Sequence, residues 1–363
     1  MSTMVIIKFV IGFVLLVAGA ELLVRGAARL AAAMGISALV IGLTVVAFGT
    51  SSPELAVSLR AALSGGAGAD IALGNVVGSN IFNILLIVGL SALAAPLLVS
   101  PQLIRADVPI MIAVSFLTLY FAADGHIARG EGLLLFLGLI LYILFSIYLG
   151  RKQGATPVDV PAVALETGTG KERWRRDVAL IAGGLVLLGV GSHWLVNGAV
   201  AIARLVGLSE LVISLTIIAA GTSLPELATS VLASLRGQRE ISVGNVVGSN
   251  IFNLLCVLGL TSSISPTGVA VSPVALRFDI PVMIAVALIS FPIFLSGYII
   301  SRKEGLFLVG LQVVYTSYLV IAAKHVPHAG LLGALLLLLV IAVPARRLLL
   351  PVIRRLRARH ESA

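Results

Sequence analysis

The sequence predicts an all-α integral membrane protein of about 10–11 transmembrane helices, arranged as two inverted five-helix repeats. Three observations carry this: a composition too apolar for a soluble core, a series of stretches each long enough to cross a bilayer, and a sequence written twice. Of 363 residues, 59% are hydrophobic and 11% charged, with mean hydropathy +1.12. Soluble domains run nearer roughly 45–50% apolar and about 25% charged, so the solvent for most of this surface is lipid.

A span needs roughly 20 mostly apolar residues. Eleven stretches qualify, near 5–23, 37–61, 71–94, 107–123, 132–149, 178–200, 209–234, 241–262, 279–298, 304–322 and 329–349. The eleventh contains Pro344, Arg346 and Arg347. Barrel strands alternate in polarity and would not produce such runs, so the spans are helices. The N-terminal run has an internal counterpart at 178–200 and is therefore read as a retained first span, not a cleaved signal peptide.

The duplication is explicit. GLTVVAFGTSSPELAVS (42–58) matches SLTIIAAGTSLPELATS (214–230) at an offset of 172. GNVVGSNIFN occurs at 74–83 and again, letter for letter, at 244–253. RADVPIMIAV (105–114) matches RFDIPVMIAV (277–286). Each copy holds five spans, an odd number, so the second enters the membrane upside down, a plan of secondary transporters that puts the site at the midplane between copies. The chain thus divides into a first repeat (1–149), a linker (150–177), a second repeat (178–323) and an extra helix with a basic tail (324–363). The linker is too short for a folded regulatory domain and is expected to be cytoplasmic and partly disordered.

The net charge is +9. Counted on eleven spans, 19 of the 25 Lys and Arg fall on one side, including Arg151, Lys152, Arg302, Lys303 and the tail Arg354, Arg355, Arg357 and Arg359. This positive-inside asymmetry predicts a multi-pass protein of the cell (inner) membrane with an extracytoplasmic N-terminus and a cytoplasmic C-terminus. The tail is also suited to anionic lipid headgroups. The one-sided placement of the charge, with Trp174 as the single aromatic residue among the linker arginines, argues against a nucleic-acid partner, and no obligatory protein partner is evident. Cys256 is the single cysteine, so neither an internal disulfide nor a cysteine metal site can form.

The chemistry concentrates at two mid-span glutamates, Glu54 in span 2 and Glu226 in span 7. A carboxylate at that depth costs about 2.5–3.5 kcal/mol on insertion scales and marks an ion or proton path. Each follows a proline, Pro53 or Pro225, which removes an amide donor and displaces the carbonyl four residues back, at Gly49 or Gly221, beside those of Ala47 and Ala219. Thr50 and Glu54 are four apart and share a helix face, with Ser51 beside them. Spans 3 and 8 add Ser79 and Asn83, Ser249 and Asn253, again at spacings of four. Gly74, Gly78, Gly244 and Gly248 form small-xxx-small pairs, read as packing at Gly74 and Gly244. Asn75 and Asn245 are open between helix-end bonding and a site role. The oxygen-only inventory suits a hard cation such as Ca²⁺, and two carboxylates neutralise one divalent ion. The same oxygens also serve monovalent ions or protons.

The paired motifs GTSSPE…GNVVGSNIFN and GTSLPE…GNVVGSNIFN resemble the two α-repeats of the calcium/cation antiporter superfamily, most of all its prokaryotic sodium/calcium exchangers. The resemblance covers both repeats and leaves out the linker, span 11 and the tail. It implies ion sites arranged as a diamond at the centre and alternating access by sliding of spans 1 and 6. It also implies the ion ligands Ala47, Thr50, Ser51, Glu54, Ser79 and Asn83, with Ala219, Thr222, Ser223, Glu226, Ser249 and Asn253. In archaeal relatives of known structure an aspartate stands where this chain has Asn253, so one titratable group fewer is present. Ca²⁺/Na⁺ antiport is the expected activity, with Ca²⁺/H⁺ antiport as the alternative, no cofactor beyond the transported ions, and no enzymatic motif. A channel would need a continuous pore, for which an inverted repeat with internal ligands is a poor basis.

Duller readings are expected elsewhere. Asp107 and Asp279, just before Pro109 and Pro281, read as helix N-terminus stabilisers. Glu21 reads as interfacial, and His126, His325 and His328 as solvent-exposed loop residues.

Overall fold

The computed structural model describes residues 3–63, 68–153, 170–205 and 219–323, with Gly207, Ile213 and Ile217 between the last two segments. Among them, eight helices are long and apolar enough to cross a membrane, or nine if a bent pair counts as one span. Span 1 is Thr3–Met34, span 2 the bent pair Ala38–Thr50 and Ser52–Leu63, span 3 Ala72–Ala94, span 4 Leu103–Ala122 and span 5 Arg129–Gln153. In the second repeat, span 6 is Gly170–Leu205, span 8 Arg239–Ile264, span 9 Ala275–Leu295 and span 10 Arg302–Ala323. Span 7 is described from Ala219–Gly221 and Leu224–Leu235. The proposed eleventh span and the tail lie outside the described residues, as does the part of span 7 before Ala219, apart from Ile213 and Ile217.

Two boundaries differ from the sequence reading. Span 1 continues eleven residues past the apolar run because Ala20, Leu23, Val24, Ala27, Ala28 and Ala31 keep a buried helical stripe while Arg25 and Arg29 lie off it. The linker is also narrower than 150–177: helix occupies Arg129–Gln153 at one end and begins again at Gly170, where Asp177 is buried against span 1.

The repeat is visible in the backbone as well as the letters. Single π-helical turns interrupt span 3 at Asn83–Val88 and span 8 at Asn253–Leu258, and open span 4 at Leu103–Asp107 and span 9 at Ala275–Asp279. Such turns release backbone groups locally and occur often at functional sites. Two short antiparallel ladders tie the repeats crosswise, Leu97–Leu98 on Ile299–Ile300 and His126–Ile127 on Val269–Ala270.

The molecule is apolar on both sides of its helices. Leu133, Leu134, Leu137, Leu141 and Leu144 of span 5 are exposed, as lipid-facing residues should be. Among the described membrane-crossing helices the most buried is span 8, which carries the second copy of the duplicated decapeptide. There Gly244 and Gly248 permit backbone contact, since a Cβ would sit 2.9 Å from Leu39 O and 2.7 Å from Leu43 O respectively. The packing role expected of Gly244 is observed. No described atom lies within 4 Å of a Cβ built on Gly74.

Candidate functional site

Spans 2 and 7 break where the sequence places its prolines. In span 2 the two helical segments meet at Ser51 with a bend of 43°, and Leu224 and Pro225 open the second segment of span 7. Proline cannot donate to the carbonyl four residues back, so the break puts Ser51 and Ser223 outside regular helix. Glu54 and Glu226 each lie in the first turn of the segment that follows, both fully buried.

The two breaks then bond to each other with opposite polarity in sequence but identical chemistry. Ser51 Oγ donates to Glu226 Oε1 at 3.0 Å, and Ser223 Oγ donates to Glu54 Oε1 at 3.0 Å. Thr50 Oγ1 donates to Asn245 Oδ1 at 3.0 Å, and Thr222 Oγ1 to Asn75 Oδ1 at 3.3 Å. Asn75 Nδ2 in turn donates to Glu54 O and Ser58 Oγ, and Asn245 Nδ2 to Glu226 O and Ser230 Oγ. Each of these hydroxyls gives its single proton to a neighbour and keeps lone pairs that can accept. Asn75 and Asn245 are therefore part of the site's frame and not helix-end bonders.

Of the carboxylates, only Oε1 has a donor; Glu54 Oε2 and Glu226 Oε2 are buried without a hydrogen-bond partner. The same holds for Asn83 Oδ1, Asn253 Oδ1 and Ser249 Oγ. Native interiors leave few polar atoms unpaired. Five orphaned oxygens from four spans, two of them carboxylate oxygens, match the chemistry of a cation's coordination shell. Ser79 Oγ lies 3.1 Å from Ser223 Oγ. Ala47 is buried, and its carbonyl accepts from Ser51 N and lies 3.4 Å from Thr50 Oγ1. Ala219 opens the short Ala219–Gly221 helix just before the break. No group of three or more His, Cys, Asp or Glu converges among the described residues, and a cation held here would draw mostly on neutral oxygens beside the two carboxylates.

Sequence reasoning passed over Asn80 and Asn250, both buried and both bonded across the repeats. Their signal was present: an identical asparagine inside an apolar span in each copy of GNVVGSNIFN. It also misread Asp107 and Asp279. Neither caps its helix; Asp107 sits within a π-turn and accepts from Tyr142 Oη at 3.1 Å, and Asp279 from Tyr315 Oη at 3.4 Å. Glu21 bridges Arg25 and Arg236. His126 is half-buried, its ring bonded to the Thr267 carbonyl instead of free in solvent; His325 and His328 lie outside the described residues.

The sequence profile of the family described as sodium/calcium exchanger protein matches residues 4–148 and 177–321, one segment for each repeat. The chain belongs to the sodium/calcium exchanger family. This exchanger is 33% identical over 309 residues to the sodium/calcium exchanger MaX1 of Methanosarcina acetivorans, covering 76% of this chain and 86% of that one. It is 39% identical over 250 residues to the inner membrane protein YrbG of Escherichia coli strain K12, covering 68% and 74%. Among solved structures it resembles the sodium-calcium exchanger NCX_Mj, with a TM-score of 0.73 and 29% identity over 87% of this chain and 99% of the other. The exchanger is thus an all-α, multi-pass membrane antiporter of the calcium/cation class.

Proposed function

We propose that the exchanger moves Ca²⁺ against Na⁺ by alternating access, with the ions held between the two breaks. The ligands would be Glu54 and Glu226, the hydroxyls of Thr50, Ser51, Ser79, Thr222, Ser223 and Ser249, the carbonyls of Ala47 and Ala219, and the amides of Asn83 and Asn253. The observation that carries this reading is the crossed pair of fully buried glutamates, each with one oxygen held by the opposite repeat's serine and the other without a donor. Two buried negative charges are costly unless compensated, and one divalent cation compensates both. On its departure, monovalent ions would replace it at the same carboxylates, using the neutral oxygens around them.

Na⁺ is favoured over H⁺ by the donor set. With Asn253 an amide, only Glu54 and Glu226 can take up protons within this ligand set, whereas its many hydroxyl, carbonyl and amide oxygens are of use to a metal ion and superfluous to a proton. Protons would then act as competitors. The 19-to-6 division of Lys and Arg supports a cytoplasmic linker and tail.

The test is radiolabelled Ca²⁺ uptake into sodium-loaded proteoliposomes diluted into sodium-free buffer, with ionophores collapsing any pH difference. Uptake driven by the outward sodium gradient and inhibited at low pH is expected. Uptake that proceeds with no sodium present and follows an imposed proton gradient would make the protein a Ca²⁺/H⁺ exchanger.

A further inference from the structure

Asn80 and Asn250 are absent from the ligand set above, yet each is 2% exposed and bonded on every polar atom of its side chain. Asn80 Nδ2 donates to the Asn250 backbone carbonyl at 3.2 Å and lies 3.7 Å from Met283 Sδ. A carbonyl can only accept, so this amide has one allowed orientation. Its Oδ1 is then turned to Asn253 and accepts from Asn253 Nδ2 at 3.0 Å. An acceptor at that point demands a donor opposite. Asn253 must therefore turn its NH₂ toward Asn80 and its Oδ1 away, and that oxygen is one of the buried orphans.

The mirror chain runs the same way. Asn250 Nδ2 donates to Asn80 O at 3.2 Å and lies 3.6 Å from Met111 Sδ. Asn250 Oδ1 accepts from Asn83 Nδ2 at 2.9 Å, and Asn83 Oδ1 is left without a partner. Orientation thus passes from a backbone carbonyl, which cannot change role, through a second amide to the buried, unpartnered oxygen of Asn253 or Asn83.

We infer that Asn80 and Asn250 are positioning residues, each fixing the amide of the opposite repeat so that Asn253 and Asn83 present oxygen, not NH₂, to the cation. The inference rests on the ligand reading of Asn83 and Asn253. It also accounts for the neutral residue at 253. An ionised carboxylate there would set two acceptors against each other across a 3.0 Å contact, so Asn80 specifies a donor at that place. Outer-shell partners of this kind typically change metal affinity by about 10–100-fold when removed.

The experiment is a double-mutant cycle on the purified full-length exchanger, measuring Ca²⁺ affinity by titration calorimetry and the unfolding temperature without Ca²⁺. The variants are Asn80→Leu, Asn253→Leu and the two combined, leucine being near in size and unable to hydrogen-bond. Each single change is expected to weaken Ca²⁺ binding at least about tenfold, and the double variant to be no weaker than Asn253→Leu, because Asn80 acts through Asn253. If Asn253→Leu leaves Ca²⁺ affinity unchanged, the ligand reading fails and the inference with it. If Asn253→Leu weakens binding but the Asn80→Leu loss multiplies fully on top, or Asn80→Leu lowers only the unfolding temperature, the ligand reading stands and the positioning role is overturned. Asn250→Leu with Asn83→Leu runs the same cycle on the mirror side and decides the matter where Asn80→Leu does not fold.

Discussion

Spans 1 and 6 pack along their length through glycine, while the crossing of spans 2, 3, 7 and 8 is joined through side-chain oxygen and nitrogen. A Cβ added at Gly12 would lie 2.9 Å from Gly191 O, and one at Gly19 2.7 Å from Gly184 O. Helix backbones in lipid gain from such close approach because the hydrophobic effect does little to drive them together. Towards the centre span 6 presents side-chain tips: Leu185 faces Gly49 and Val196 faces Gly221. The central crossing has the reverse construction, with serine, threonine and asparagine bonded from one repeat to the other at 2.9–3.3 Å. An apolar contact has few directional bonds to break when it shifts, here the exposed Glu21–Arg236 pair; a network of paired amides has one arrangement. The contrast supports the sliding role that the family resemblance assigns to spans 1 and 6, with the crossing as the fixed frame.

Changes at the two regions should therefore have different signatures. Glu54→Gln and Glu226→Gln keep shape but remove half the compensating charge each, and are expected to lower Ca²⁺ flux at least about 100-fold while insertion is unharmed, since the lost carboxylate was the costly group in the bilayer. Flux assays with equal reconstituted protein, checked by size-exclusion profile, measure this; near-normal flux in either variant would remove the centre from the transport path. Gly191→Leu forces a side chain where a Cβ alone would meet Leu16 N at 2.6 Å. Overpacking of this kind costs about 1–3 kcal/mol, so the unfolding temperature and the maximal flux should fall while the Ca²⁺ concentration at half-maximal flux stays within about twofold. A large change in that concentration would erase the distinction between the regions. The smallest effect is expected at Glu21→Gln, which breaks the contact to Arg236 between span 1 and the end of span 7. Arg236 is 56% exposed at its side chain, and exposed pairs contribute about 0–1 kcal/mol, so flux should change less than about twofold. A larger loss would show that this pair restrains the sliding helices.

The fold was legible because the determinants are repeated and dense: apolar runs fix the spans, and an odd number of them per copy fixes the inversion. The polar cluster around Glu54 and Glu226 was legible for the same reason, since a carboxylate beside a mid-span proline has few structural explanations. What escaped depends on distance across the fold. Asn80 acts on Asn253, and its own orientation is set by Asn250; nothing local in GNVVGSNIFN separates it from the asparagine three residues on. Asp107 stands before a proline, which imitates a helix start, but the π-turn turns it inward to Tyr142, 35 residues away. The helical start at Gly170 was hidden by its charge, because Lys171, Glu172, Arg173, Arg175 and Arg176 read as linker although such residues are good helix formers.

The crossed glutamates are the centre of the mechanism proposed here, and locating the ion tests them most directly. Crystals of the exchanger grown with Ca²⁺ and measured at long wavelength give an anomalous difference map in which Ca²⁺ is distinguishable from Na⁺ and water. The expected result is a peak bonded at about 2.3–2.6 Å to both Glu54 Oε2 and Glu226 Oε2, with the Asn83 and Asn253 amide oxygens facing it. A Ca²⁺ peak elsewhere in the molecule, with both carboxylates unbonded to metal, would contradict it.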